Sequence, residues 1–216
     1  AQVIATFFIM GQWIHNEQFS VSHISPAVFM PIVGNMLIPI AGIEFAPKEL
    51  NWFFYSIGIV FWIVMFTIVA NRLFFHHPIP EKLLPTLFIM MAPPAIGAVA
   101  YLRLTGEVDV FLRVQYYFAL FMAFLLLTQF RVFLRLKFYL SWWAYTFPMA
   151  AVTTATFVMW HHTHWTALLP IGLGLLLTLG TIIVILVIRT TIAMRRREIC
   201  VEEADHAPML EASAVA

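Results

Sequence analysis

The long apolar runs of this chain contain no charged residue, and every second run is interrupted by proline. Residues 26–43 include Pro31 and Pro39, residues 83–102 include Pro93 and Pro94, and residues 138–160 include Pro148. The runs between them, 52–71 and 114–130, have no proline, and the last, 165–188, has only Pro170 in its first turns. Each run is about 20 residues long, enough for a helix to cross a hydrocarbon core ~30 Å thick. Lipid offers no water to a backbone group freed by proline, so an interrupted helix persists at membrane depth only where protein or a cavity receives it. The alternation predicts an all-α integral membrane protein in which proline-kinked inner helices alternate with smooth outer ones.

Composition agrees. The chain is 62% hydrophobic and 11% charged, with a mean hydropathy of +0.89. A soluble domain of this length could not keep that much apolar surface out of water. Six spans are expected, over 26–43, 52–71, 83–102, 114–130, 138–160 and 165–188, within a membrane domain of residues 1–193. An apolar stretch at 2–14 is too short to cross. The chain opens inside that stretch, at Ala1, with no basic segment ahead of it. We read it as a piece of a longer chain with further helices upstream, not as a signal peptide. Interrupted and smooth runs pair through short loops, which suggests a repeat of helical hairpins.

Basic residues set the orientation. Nine of them (Arg72, Lys82, Arg131, Arg135, Lys137, Arg189, Arg195, Arg196 and Arg197) fall on one side of the spans, against three, Lys48, Arg103 and Arg113, on the other. The positive-inside rule puts the nine in the cytoplasm. A multi-pass protein of the cell membrane with a cytoplasmic C-terminus is therefore expected. Arg72, Lys82, Arg131, Arg135 and Lys137 would surround a cytoplasmic mouth and concentrate anions there. Residues 194–216 turn abruptly to charged and small residues and read as a disordered cytoplasmic tail. Its arginines suit anionic headgroups rather than nucleic acid.

Several function classes are excluded by what the spans lack. All eleven Asp and Glu residues lie in loops or the tail, whereas proton-coupled carriers and pumps usually need an ionisable group within the bilayer. The eight histidines also sit at span ends, in loops or in the tail, so a haem held between helices fails on position. His161, His162 and His164 form the one constellation resembling a metal site. With no carboxylate or thiol nearby, an interfacial loop between Trp160 and Trp165 is the favoured reading, and neither metal nor other cofactor is expected. Cys200 is the single cysteine and excludes an internal disulfide. No Ser/His/Asp or Cys/His arrangement can be defended, and Ser141 and Thr146 are expected to bond to helix carbonyls one turn back. The chain does not read as an enzyme. What remains is an apolar passage lined with Gly, Ala, Thr, Met and Phe. At its midplane two effects oppose: proline frees a carbonyl that repels anions, and starts a half-helix whose N–H end attracts them.

The stretches PAVFMPIVGNMLIPIAG at 26–42, HPIPEKLLPTLFIMMAPPAIG at 77–97 and SWWAYTFPMAA at 141–151 resemble the tellurite-resistance and dicarboxylate-transporter family, which includes the plant guard-cell slow anion channels. The resemblance runs from about residue 23 to residue 160. It implies ten helices in five hairpins, with the odd helices forming a central pore, the even ones around it, and a homotrimeric assembly. This chain would supply the end of the fourth helix through the tenth, and its interrupted runs would be the fifth, seventh and ninth. The resemblance also implies a phenylalanine on the ninth helix that plugs the pore at mid-depth. The matching position is Phe147, with Pro148 loosening the helix enough for the ring to rotate. Phe29 and Phe88 are weaker candidates for neighbouring rings, and either could equally face lipid or an adjacent helix. Pro31, Pro39, Pro93, Pro94 and Pro148 would line the same pore.

Two functions follow. One is a passive, gated channel for small inorganic or organic anions, with a largely uncharged, phenylalanine-occluded pore. The other is a secondary carrier exporting dicarboxylates or tellurite-like oxyanions. A carrier calls for a charged binding site at midplane, and the six spans contain none, which favours the channel.

Overall fold

A computed structural model of the chain describes residues 2–15, 24–76 and 78–197. The expected tail beyond residue 197, with Cys200, and the histidines at 23, 77 and 206 lie outside the described residues. Among the described residues there is no β-strand. The described residues form eight α-helices: α1 (Gln2–His15), α2 (Phe29–Gly42), α3 (Lys48–Phe75), α4 (Ala92–Thr105), α5 (Val110–Thr128), α6 (Phe130–Arg135), α7 (Thr146–Thr163) and α8 (Leu168–Arg195). Three 3₁₀ segments, Pro26–Val28, Glu81–Met91 and Leu140–Tyr145, run directly into α2, α4 and α7. Among the described residues, four stretches are long and apolar enough to cross a membrane: α3, Glu81–Thr105, α5 and α8, with Pro26–Gly42 a shorter apolar helix.

The proline-bearing unit Glu81–Thr105 is 78% buried over its most apolar window, against 17% for α3, 44% for α5 and 22% for α8. Helices α3 and α8 are therefore on the outside, with α5 intermediate. α5 and α8 expose Phe121, Leu177, Val184 and Ile188, apolar surface that calls for lipid. The inner unit is buried because its residues are small. Gly97 of α4 leaves room for the Gln115 amide of α5, where a Cβ would overlap Oε1. Gly58 of α3 likewise lets Met36 of α2 close against the backbone. Small residues at helix contacts serve this purpose in membranes, where van der Waals contact largely replaces the hydrophobic drive.

The prolines differ from expectation in one respect. Pro31, Pro94 and Pro148 each occupy the third residue of α2, α4 and α7, and Pro93 the second of α4. First-turn N–H groups have no acceptor within their helix, so proline there costs no α-helical hydrogen bond. These residues start α-helices and do not break them, and the pitch of each unit changes from 3₁₀ to α beside them. Among the described prolines only Pro39 lies in the body of an α-helix, where it cannot donate to the carbonyl four residues earlier. Several ends also moved. The run at 114–130 divides at Gln129 into α5 and the short α6, and α8 continues to Arg195, into the region expected to be disordered.

Loop chemistry explains the turns. Asp109 caps α5, its carboxylate accepting the Leu112 N–H at 2.9 Å, while Gly106 ends α4 at φ 79°. His164 ends α7 at φ 53°, donating its N–H to the Trp160 carbonyl at 2.9 Å. His161 and His162 thus belong to the last turn of α7.

Candidate functional site

The 3₁₀ segment Glu81–Met91 packs against both Pro26–Val28 and Leu140–Tyr145, while α4 packs against both α2 and α7. The three units therefore run parallel, and their changes of pitch fall at one level. With Pro31, Pro94 and Pro148 superposed in register, Met30, Pro93 and Phe147 are equivalent, and so are Gly34, Gly97 and Ala151. At this level each α-helix continues from a 3₁₀ turn, and the N–H groups of Phe29, Ala92 and Thr146 donate to carbonyls of that turn.

Phe147 is the second residue of α7 and is 44% exposed, whereas Pro148 and Met149 after it are buried. It heads a stripe that continues through Ala150, Thr154, Val158 and His161, all exposed or half-buried, at the spacing of one helix face. The opposite face packs inward. There Thr153 and Thr156 donate to the carbonyls of Met149 and Val152 at 2.7 and 2.8 Å, and the Tyr116 hydroxyl lies 3.3 Å from Thr156 Oγ1. Met30, at the equivalent position of α2, is 59% exposed.

The other two rings differ. Phe29 is fully buried. Phe88 sits in an edge-on cluster, 4.7 Å from Tyr145 and 5.2 Å from Phe133, with Phe133 and Tyr145 5.8 Å apart. Both side chains are buried in the core. Pro39, Pro93, Pro94 and Pro148 are buried, and Pro31 is partly so.

At one end of the bundle the structure draws together four of the five basic residues expected at a mouth. Arg131 and Arg135 line a hollow with Glu81, Val132 and Leu136. The Lys137 N–H donates to the Glu81 carboxylate at 3.4 Å, and the Ser141 hydroxyl donates to the Lys82 carbonyl. Ser141 thus ties two units together instead of bonding within its own, while Thr146 does bond back, to the Trp143 carbonyl at 2.8 Å. Arg72 is the exception: it is buried, and its Nε has no acceptor among the described residues. The rings of His161 and His162 cross at 5.4 Å. Among the described residues no three His, Cys, Asp or Glu side chains converge on a point.

Two buried amides escaped the sequence reading, although a polar residue inside an apolar run was the available signal. Asn35 donates to the Thr6 hydroxyl and the Pro31 carbonyl, each at 2.9 Å. Gln115 accepts the Tyr55 hydroxyl at 3.2 Å, and its Nε2 has no partner among the described residues.

These features define an all-α, multi-pass membrane protein. Residues 1–191 match the SLAC1 family, described as voltage-dependent anion channel, and the chain belongs to that family. The S-type anion channel SLAH2 of Arabidopsis thaliana is 36% identical over 149 residues, covering 68% of this chain and 29% of the relative. The guard cell S-type anion channel SLAC1 of the same plant is 28% identical over 149 residues, covering 68% and 27%. An uncharacterized transporter of Methanocaldococcus jannaschii is 26% identical over 199 residues, covering 82% and 57%. The chain thus spans less than a third of these plant relatives and rather more than half of the archaeal one. The family is one of channels and transporters, not of enzymes.

Proposed function

We propose that the chain forms part of a gated channel for small anions, with Phe147 as the occluding ring. The observation that carries this reading is the position of Phe147: exposed, beside a buried proline, at the level where three parallel units begin their α-helices. The ring presents a positive edge to the anion. Rotation about χ1 clears the path without moving a charge. Met30 takes the neighbouring lining position that Phe29 was expected to fill. Lys82, Arg131, Arg135 and Lys137 form the cytoplasmic mouth and raise the local anion concentration. The C-terminus is cytoplasmic, the membrane is the cell membrane, upstream helices complete the pore, and the assembly is a homotrimer. The S-type anion channels among the relatives support conduction. The carrier reading gains no support from the described spans, which hold no charged side chain at mid-depth.

The test is the current of the whole protein in planar bilayers across a chloride gradient. Phe147→Ala is expected to raise basal current several-fold, with reversal near the chloride potential. Unchanged current at normal expression removes Phe147 from the gate. Silence in both proteins, with labelled dicarboxylate taken up by liposomes, transfers the function to a carrier.

A further inference from the structure

We propose that the hollow between α5, α6 and α8 holds an acyl chain of an anionic phospholipid, whose phosphate is met by Arg131 and Arg135. The hollow has a volume of about 480 Å³, within the roughly 300–1,000 Å³ of sites that enclose small organic ligands. Phe88, Phe133 and Tyr145 form its buried floor, and Phe130, Leu177 and Ile185 are its exposed lips. The lips lie on the outer face of the bundle, on the smooth helices that require lipid, so the occupant enters sideways from the bilayer.

One observation selects a phospholipid over a plain hydrocarbon: charge at the rim. The Arg131 guanidinium stands 5.9 Å from the centroid of Phe130, one of the lips. Arg135 follows one turn later, and both line the adjoining hollow. Helix α6 is therefore two-faced, giving Phe130 and Phe133 to the apolar hollow and Arg131 and Arg135 to the polar one. Glu81 is the acid in that second hollow, and it accepts the Lys137 N–H. Two guanidiniums against one carboxylate leave a net attraction for phosphate. A free anion would use the arginines but leave the hollow empty. The inference needs only the membrane setting and stands apart from conduction.

The experiment is native mass spectrometry of the full chain, titrated with phosphatidylglycerol or with phosphatidylcholine of the same acyl chains. The wild type is expected to retain one phosphatidylglycerol at about tenfold lower concentration than phosphatidylcholine, with excess inorganic phosphate failing to displace it. Arg131→Gln with Arg135→Gln removes that preference and leaves weak binding of both lipids. Thr181→Phe, which fills the hollow from α8, abolishes both. If Thr181→Phe does not fold, Leu127→Trp fills the same space from α5. Equal retention of the two lipids by the wild type overturns the proposal. So does a preference that survives loss of both arginines, or lipid kept by a stably folded filled variant.

Discussion

Gly97 leaves no room for a methyl group, because the Gln115 Oε1 that takes its place also accepts the Tyr55 hydroxyl. Gly97→Ala must push that amide aside and lose the bond. The expected cost is about 1–2 kcal/mol, after the gain in helix propensity is subtracted. A lower melting temperature in detergent checks it, and in a Gln115→Ala background most of the loss should disappear. Asp109 behaves differently because it titrates. The Leu112 N–H, and then the Tyr101 hydroxyl at 2.6 Å, hold its carboxyl below the ordinary 3.8. A group depressed on folding stabilises above its unfolded pKa and loses that contribution as pH falls through the folded one. Melting of the wild type should therefore fall more steeply below about pH 4 than melting of Asp109→Asn. Rings were harder to read in advance. Phe88 and Phe147 both stand near prolines in apolar runs, and sequence alone could not separate them. What distinguishes Phe88 is its contact with Phe133 and Tyr145, each more than 40 residues away.

Among the elements, the burial of Glu81–Thr105 follows the proline alternation, whereas α2 and α7 are no more buried than the smooth α5. Where each proline falls in its helix was not legible. The apolar run continues through Pro31, Pro94 and Pro148 without a polar signal, so a helix start inside the run looks like a break. The distinction has a measurable result. Pro148→Ala restores an N–H in a first turn and should change stability by less than ~1 kcal/mol. Pro39→Ala adds a donor in mid-helix, and is expected to stabilise α2 by about 1–3 kcal/mol in thermal melts, with slower amide exchange in its last turn. Helix α6 was missed because its six residues follow an apolar run directly and carry the arginines expected of a loop.

For the whole molecule, the hairpin repeat was visible in the alternation of run types but scarcely in the residues. The structure supplies the shared element: a 3₁₀ segment entering an α-helix with proline at its third residue, three times over. Orientation remains an inference from charge, and sided labelling tests it. In a Cys200→Ser background, Phe45→Cys should react with an impermeant thiol reagent on intact cells, and Arg135→Cys only after permeabilisation. The reverse pattern would invert the topology and place the basic mouth outside. The segment Glu81–Met91 has a further consequence, one of length. Eleven residues of 3₁₀ helix ahead of fourteen of α-helix extend to about 43 Å, where the same chain wound wholly as α-helix would reach about 38 Å. The inner unit, with Glu81 and Lys82 at its tip, so gains ~5 Å of reach from winding alone.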